Sequence, residues 1–276
     1  DFLAVMNTRL MKGQKVLQGY LSAKNPVDTW VSGTFAIAFW TVNHLWHLGK
    51  YNLGLSSCLG GTGMCISADI VREFGWGCDC LTEDMEFSMK CLSHGIRTCW
   101  VHDAIIYDEK PLTFMASWRQ RKRWAQGQFD CSERYIPILM KEGFKRHSIV
   151  VLDGIMQLLQ NYFLLISAFY LVMTYINMFY PCFTVVLYND ALVPRQFWSV
   201  LGTIQYVLPL IVLLQIEVPA KIYLYWLIYP VFMYSWVPVT FLGWIHRHEK
   251  QWVHTIHTRS MQFQAASLTR KKEIDS

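Results

Sequence analysis

Two carboxylates, Glu83 and Asp84, follow directly on Thr82. The tripeptide reads as a helix start, with threonine at the N-cap and acids in the first turn, where the positive end of the helix dipole favours them. The same placement suits acid–base chemistry. A carboxylate held at a helix N-terminus is rigid and expected to stay ionised. Asp84 could then accept a proton from a sugar hydroxyl as that oxygen attacks an anomeric carbon. Glu83, its neighbour, could orient a hydroxyl or a loop.

Further along, Gln120, Arg123 and Trp124 stand at i, i+3 and i+4. On a helix these positions share one face, so an amide, a guanidinium and an indole project together. A guanidinium neutralises a diphosphate, an indole stacks on a pyranose ring, and an amide bonds to hydroxyls. The alternative is a basic amphipathic helix on anionic lipid, which Arg119, Arg121 and Lys122 would support. The run Gly60-Gly61-Thr62-Gly63 is a turn whose glycines would also let backbone approach a substrate closely. His254 and His257 could pair on a metal or lie in a solvated tail, whereas His94 and His102 stand alone and read as structural.

The elements that must position these residues alternate. Phe2, Leu3, Val5, Met6, Leu10 and Met11 have helical spacing and Gly13 stops them. Residues 15–20 read as a short buried strand closed by Asn25-Pro26. A long aromatic helix follows from Val27 to about Leu48, expected to be amphipathic and packed on the soluble part. Met64 to Ser67 reads as a strand, Ala68 to Phe74 as a short helix, and Glu83 to about His94 as a helix ended by Gly95. Arg97–His102 and Ala104–Tyr107 read as two strands, and Phe114 to about Tyr135 as an amphipathic helix. Short strands alternating with helices predict an α/β domain.

Composition then changes. The chain has 276 residues, 53% hydrophobic and 16% charged, against roughly 25% charged in ordinary soluble domains. Most of the charge lies before residue 148, and residues 148–245 are nearly uncharged. Three domains follow: 1–147 soluble, 148–245 membrane helices, and 246–276 a basic tail. Lys110, Arg119, Arg121, Lys122, Arg123, Arg134, Lys141, Lys145 and Arg146 precede the apolar part, and Arg247, Lys250, Arg259, Arg270, Lys271 and Lys272 follow it. Such flanks face the cytoplasm, and their placement beside apolar blocks excludes a nucleic-acid surface. The eight cysteines lack paired C-x-x-C spacing and are expected as reduced thiols, not zinc ligands.

Within the apolar part, Asp153, Gln157, Gln160 and Asn161 form a polar stripe, predicting a helix that lies in the interface. A span would run from near Tyr162 to near Pro181. Block 197–216 is long enough to cross. Block 222–245, broken by Pro230 and Pro238 and rich in Tyr and Trp, is expected to be interfacial or re-entrant.

The order glycine turn, Thr-Glu-Asp, Gln-x-x-Arg-Trp and apolar helices resembles the processive family-2 glycosyltransferases, the inverting synthases of cellulose, hyaluronan, chitin and poly-N-acetylglucosamine. Residues 1–145 carry the resemblance closely and the remainder in layout. It implies a cytosolic GT-A-type α/β domain on a bundle of membrane helices in the plasma membrane. It implies a UDP-sugar donor, a polysaccharide acceptor and export across the bilayer, and leaves room for accessory subunits. Asp84 would be the general base. Glu83, Gln120, Arg123, Trp124, Gly61, Thr62 and Gly63 would bind substrate, and Trp252, Thr258 and Arg259 would belong to a tail segment over the nucleotide. A divalent metal, Mg or Mn, is implied too, but its Asp-x-Asp motif is not in this chain. Asp1-Phe2-Leu3 resembles the residues just downstream of that motif, so the chain is expected to be a C-terminal portion, inactive alone. The remaining alternatives are transfer of one sugar to a lipid, and a non-catalytic membrane scaffold. The polymerase reading expects the Asp84 carboxyl and the Trp124 indole to line one cavity opening toward lipid.

Overall fold

The structure, a computed structural model, describes residues 1–180 and 195–249. Its centre is a three-stranded mixed sheet in the order β2-β1-β3. Strand β1 (Val16–Ala23) is buried along its whole length. It pairs antiparallel with β2 (Met64–Ile66) and parallel with β3 (Thr98–Asp108). The two strands expected at Arg97–His102 and Ala104–Tyr107 are one strand with a bulge. Gly19 faces Val101 but the next residue, Tyr20, faces Ile105, so His102, Asp103 and Ala104 are extruded. His102 does not stand alone as expected: its ring meets His44 at 4.9 Å and Tyr20 at 5.1 Å. Among the first helices, α1 (Phe2–Met11) covers one side of the sheet through Met6, which packs with Leu17, Val101 and Ala104.

The aromatic helix starts and ends a few residues later than expected, and its first part is more buried. Helix α2 (Trp30–Thr41) starts on a capping box between Thr29 and Ser32. At Val42–His47 it opens into a π-turn, then continues as α3 (Leu48–Asn52). The π-turn directs Asn43 inward, where its amide donates to the Leu21 carbonyl at 2.9 Å. Helix α2 is not amphipathic, because both of its sides are covered. The sheet packs on one side through Tyr20 and Trp100, and Tyr225 and Phe232 from near the C-terminus pack on the other.

Helices α4 (Ala68–Phe74) and α5 (Glu83–Ser93) lie as expected. Helix α6 (Phe114–Lys145) runs well beyond Tyr135 and passes through Pro137. Proline ordinarily stops a helix. Here the last turns are held by packing: Leu139 is fully buried and Gly143 lies against Leu152 of α7 (Ile149–Phe179).

The polar stripe on α7 faces protein, not an interface. Asp153 pairs with Lys50 at 2.7 Å, and Gln157 accepts from Lys50 at 3.4 Å. The Gln128 side chain donates to the Gln157 carbonyl at 3.2 Å. Asn161 is buried, and Gln160 is exposed. The helix bends by 50° between Leu158 and Gln160. Helix α8 (Arg195–Gln215) follows, then α9 (Lys221–Tyr234) and α10 (Trp236–Ile245). Taken together, Lys221–Ile245 is, among the described residues, the one helical stretch that is long and apolar enough by length and composition to cross a bilayer unaided. Pro181, the His254/His257 pair and Trp252, Thr258 and Arg259 lie outside the described residues.

Candidate active site

The glycine turn and the Thr-Glu-Asp helix start meet. Gly61 has φ +77° and Gly63 φ +62°, conformations that side-chain-bearing residues rarely adopt. A methyl group at Gly61 would lie 3.2 Å from Asp84 Oδ2, so the turn is laid directly on the carboxylate. Its outer surface, Gly60 to Thr62, is exposed. Asp84 is half-buried beneath it. Burial raises its carboxyl from 3.8 to about 6, reinforced by the nearby Glu83 charge, while the Met85 N–H and Arg123 oppose the rise. Asp84 Oδ1 accepts from Met85 N at 2.7 Å. The carboxylate expected to be comfortably ionised is therefore poised close to neutral pH.

Thr82 occupies the N-cap position, but its hydroxyl makes no capping bond. Its Oγ1 is buried with no hydrogen-bond partner. Thr82 instead packs on Gly127 of α6, where an added Cβ would fall 2.6–2.7 Å from Thr82 N, Oγ1 and Cγ2. This close approach docks α5 on α6. Glu83 is exposed. The carboxylate that holds a loop is Glu86, whose Oε2 accepts from Asp79 N and Cys80 N, both at 2.7 Å.

Docking at Gly127 brings Arg123 to the start of α5, where its Nη1 donates to the Leu81 carbonyl at 3.2 Å. Arg123 Nε and Gln120 Oε1 are buried without hydrogen-bond partners. Buried polar atoms are ordinarily satisfied, so each of these, like Thr82 Oγ1, keeps bonding capacity that the described residues do not use. Trp124 points elsewhere: its ring lies 6.1 Å from Phe35 and 6.3 Å from Phe39. No hydrogen bond or ring contact among the described residues joins Trp124 to Asp84. The Arg123 charge acts on Asp84, whereas Trp124, the next residue on the helix, packs on Phe35 and Phe39.

Two cations expected on the basic flank are buried. Arg121, at 0% exposure, does not face lipid. Its guanidinium lies 4.5 Å from the Phe232 ring centroid and 5.1 Å from that of Trp236, and donates to Ser235 Oγ at 2.8 Å. Desolvation lowers it to about 10. It bolts α6 to the junction of α9 and α10. Lys110 lies 3.5 Å from the Phe39 ring centroid and pairs with Asp108 at 3.2 Å.

Reasoning from sequence alone passed over Gln18. It is 1% exposed on an otherwise apolar strand, and an amide in such a strand is the signal that would have found it. Its Nε2 donates to the carbonyls of Gly19 and Thr62, both at 2.9 Å, and of Gly63 at 3.4 Å. Its Oε1 accepts from Gly60 N at 2.8 Å. Ser88 makes a second tie, accepting from Leu59 N at 2.9 Å and donating to the Asp84 carbonyl at 2.8 Å.

The described residues gather no group of three or more His, Cys, Asp or Glu able to hold a metal. Near Asp84, Glu83 faces solvent and Glu86 is engaged by backbone N–H groups. These side chains do not fit a divalent cation.

Comparison with known proteins matches this sequence to a family. Residues 2–241 fit the family model "Glycosyl transferase family group 2". A stretch of 80 residues is 30% identical to "Probable glycosyltransferase YdaM" of Bacillus subtilis (strain 168), covering 29% of this chain and 19% of that protein. The similarity thus spans less than a fifth of that relative's length. Family membership implies a GT-A-like α/β fold, of which the described residues hold the small mixed sheet and its helices. With the family match running over most of its length, this chain belongs to glycosyl transferase family group 2, enzymes that move a sugar from a nucleotide-sugar donor to an acceptor.

Proposed function

We propose that the chain belongs to an inverting, processive glycosyltransferase. That enzyme would extend a β-linked polysaccharide from a UDP-sugar at the cytoplasmic face of the plasma membrane and pass the polymer across it. The observation that carries this reading is the seat of Asp84, half-buried under the glycine turn with Arg123 beside it. The acceptor hydroxyl gives its proton to Asp84 as its oxygen attacks the anomeric carbon. The bond from that carbon to the diphosphate oxygen breaks on the opposite face, and the electron pair leaves with the nucleoside diphosphate. A base titrating near 6 is ionised at neutral pH yet basic enough to take the proton. Gln120 and Arg123 would serve the diphosphate and sugar hydroxyls, and Trp124 the acceptor ring. Gly61, Thr62 and Gly63 would let a sugar approach the base closely, with Glu83 at the solvent-facing rim.

The membrane part of the reading is supported by the apolar helix Lys221–Ile245 and by the bent pair Ile149–Leu158 and Gln160–Ile176. Phe163, Ile166, Phe169 and Leu224 are among the large apolar side chains these helices expose. The deciding experiment is a UDP-sugar screen with the full-length enzyme in membranes, with products sized by chromatography. Long chains are expected from wild type. Asp84→Asn is expected to lower turnover by about 10²–10⁴-fold. Synthesis by Asp84→Asn near the wild-type rate would refute the assignment of the base, and a product one sugar longer than its acceptor would refute processivity.

A further inference from the structure

Three of the four residues of the glycine turn lack a side chain, and the fourth, Thr62, is exposed. What holds it comes from two other elements. Gln18, from the central strand, uses both ends of one amide on the turn: Oε1 takes Gly60 N–H, and Nε2 reaches the Thr62 and Gly63 carbonyls. Ser88, one helical turn beyond Asp84, ties Leu59 at the entrance of the turn to the Asp84 carbonyl. Both side chains are 1% exposed and neither carries charge. Burying a primary amide in an apolar strand costs free energy unless its bonds are made, and here most of those bonds go to this turn.

We infer that Gln18 is a positioning residue which, together with Ser88, clamps the Gly60–Gly63 turn onto the Asp84 carboxylate and so sets how far that carboxylate is removed from water. The inference rests on the reading of Asp84 as the base. Its physical content is specific. The leading cause of the raised Asp84 titration is desolvation, and the turn is the backbone laid against Oδ2. The charged and titratable groups facing Asp84 are Glu83 on its own helix, Arg123 from α6 and the Cys58 thiol from the segment before the turn. Replacing Gln18 by a neutral residue changes none of them, and Ser88→Ala removes only the hydrogen bond of Ser88 to the Cys58 thiol, which burial holds well above its ordinary range and so uncharged at the pH values tested. A change in the Asp84 titration would therefore report on hydration.

The test uses the full-length enzyme in lipid nanodiscs with two variants, Gln18→Leu and Ser88→Ala. The Asp84 carboxyl is followed by infrared difference spectroscopy against Asp84→Asn, a readout that needs no turnover. Circular dichroism selects folded samples. The wild-type midpoint is expected near 6. In either variant it is expected to fall by about one pH unit or more as water reaches the carboxylate, and the acid limb of the kcat profile should move with it. An unmoved midpoint in the folded variants would overturn the clamp. Should Gln18→Leu not fold, Ser88→Ala alone decides by the same criterion. Failure of the two ideas is distinguishable. Full activity in Asp84→Asn would remove the base but leave the titration test standing. An inactive Asp84→Asn with unmoved midpoints would remove the clamp alone.

Discussion

Replacing Asp84 by asparagine should stabilise the fold while disabling the chemistry. A carboxyl that titrates at about 6 when folded, against an ordinary 3.8, binds its proton more tightly in the native state. The sign follows from linkage: stability is greatest below the unfolded value and is lost as pH rises through the folded one. Between about 4 and 6 the native protein holds a proton that the unfolded chain has released, so each step upward in pH costs stability. Above this window the cost is constant. At full strength it amounts to about 3 kcal/mol, at about 1.4 kcal/mol per pH unit. Asp84 keeps some solvent contact, and screening reduces the figure to roughly 1–2 kcal/mol. Asparagine retains an acceptor for the Met85 N–H and carries no charge. Thermal unfolding in detergent micelles should therefore show the variant melting higher at pH 7.5, by about 2–4 °C per kcal/mol. At pH 4 the gain should shrink toward zero, because the native wild type is then protonated. An equal gain at both pH values, or a lower melting point at pH 7.5, would refute the desolvated-carboxylate account.

Two further outcomes follow from close contacts. Gly127→Ala would ordinarily favour a helix by roughly 1 kcal/mol, but its methyl group would meet Thr82 at 2.6–2.7 Å. A net loss of about 1–3 kcal/mol in chemical unfolding, with reduced turnover, is expected from overpacking; a more stable variant would show that α5 and α6 are not docked there. The Lys50–Asp153 pair joins α3 to α7 with little solvent around it. Asp153→Asn should cost about 3–5 kcal/mol by stranding the buried ammonium, while Lys50→Met with Asp153→Leu should recover most of that loss. Equal destabilisation by the single and double variants would contradict the pairing.

How far each residue was legible depended on the range of the forces that place it. Helix starts and stops were readable at α5, because a glycine after the last turn acts within a few residues. The expected end of α6 near Tyr135 falls short of Lys145, since the last turns, with Leu139 buried and Gly143 against Leu152 of α7, are held by distant packing. The stripe from Asp153 to Asn161 showed its polarity plainly but not its partner. Polar spacing looks the same whether it meets headgroups or Lys50. Arg121 is the sharpest case: among the basic residues Arg119, Lys122 and Arg123, its type gives no sign that three aromatic rings await it.

For the candidate site, residue order alone marked Gly61–Gly63, Thr82–Asp84 and Gln120–Trp124, because short motifs record chemistry at fixed local spacing. Sequence could not say that Gly61 would lie on Asp84, that Gly127 would admit Thr82, or that Trp124 would turn toward Phe35 and Phe39. Those outcomes join segments far apart in the chain, and only packing selects among them. Tertiary structure likewise decided the acidity of Asp84. A carboxyl group's proton affinity depends on how much water and charge surround it, and at Asp84 burial, the leading influence, is a product of packing that residue order does not display.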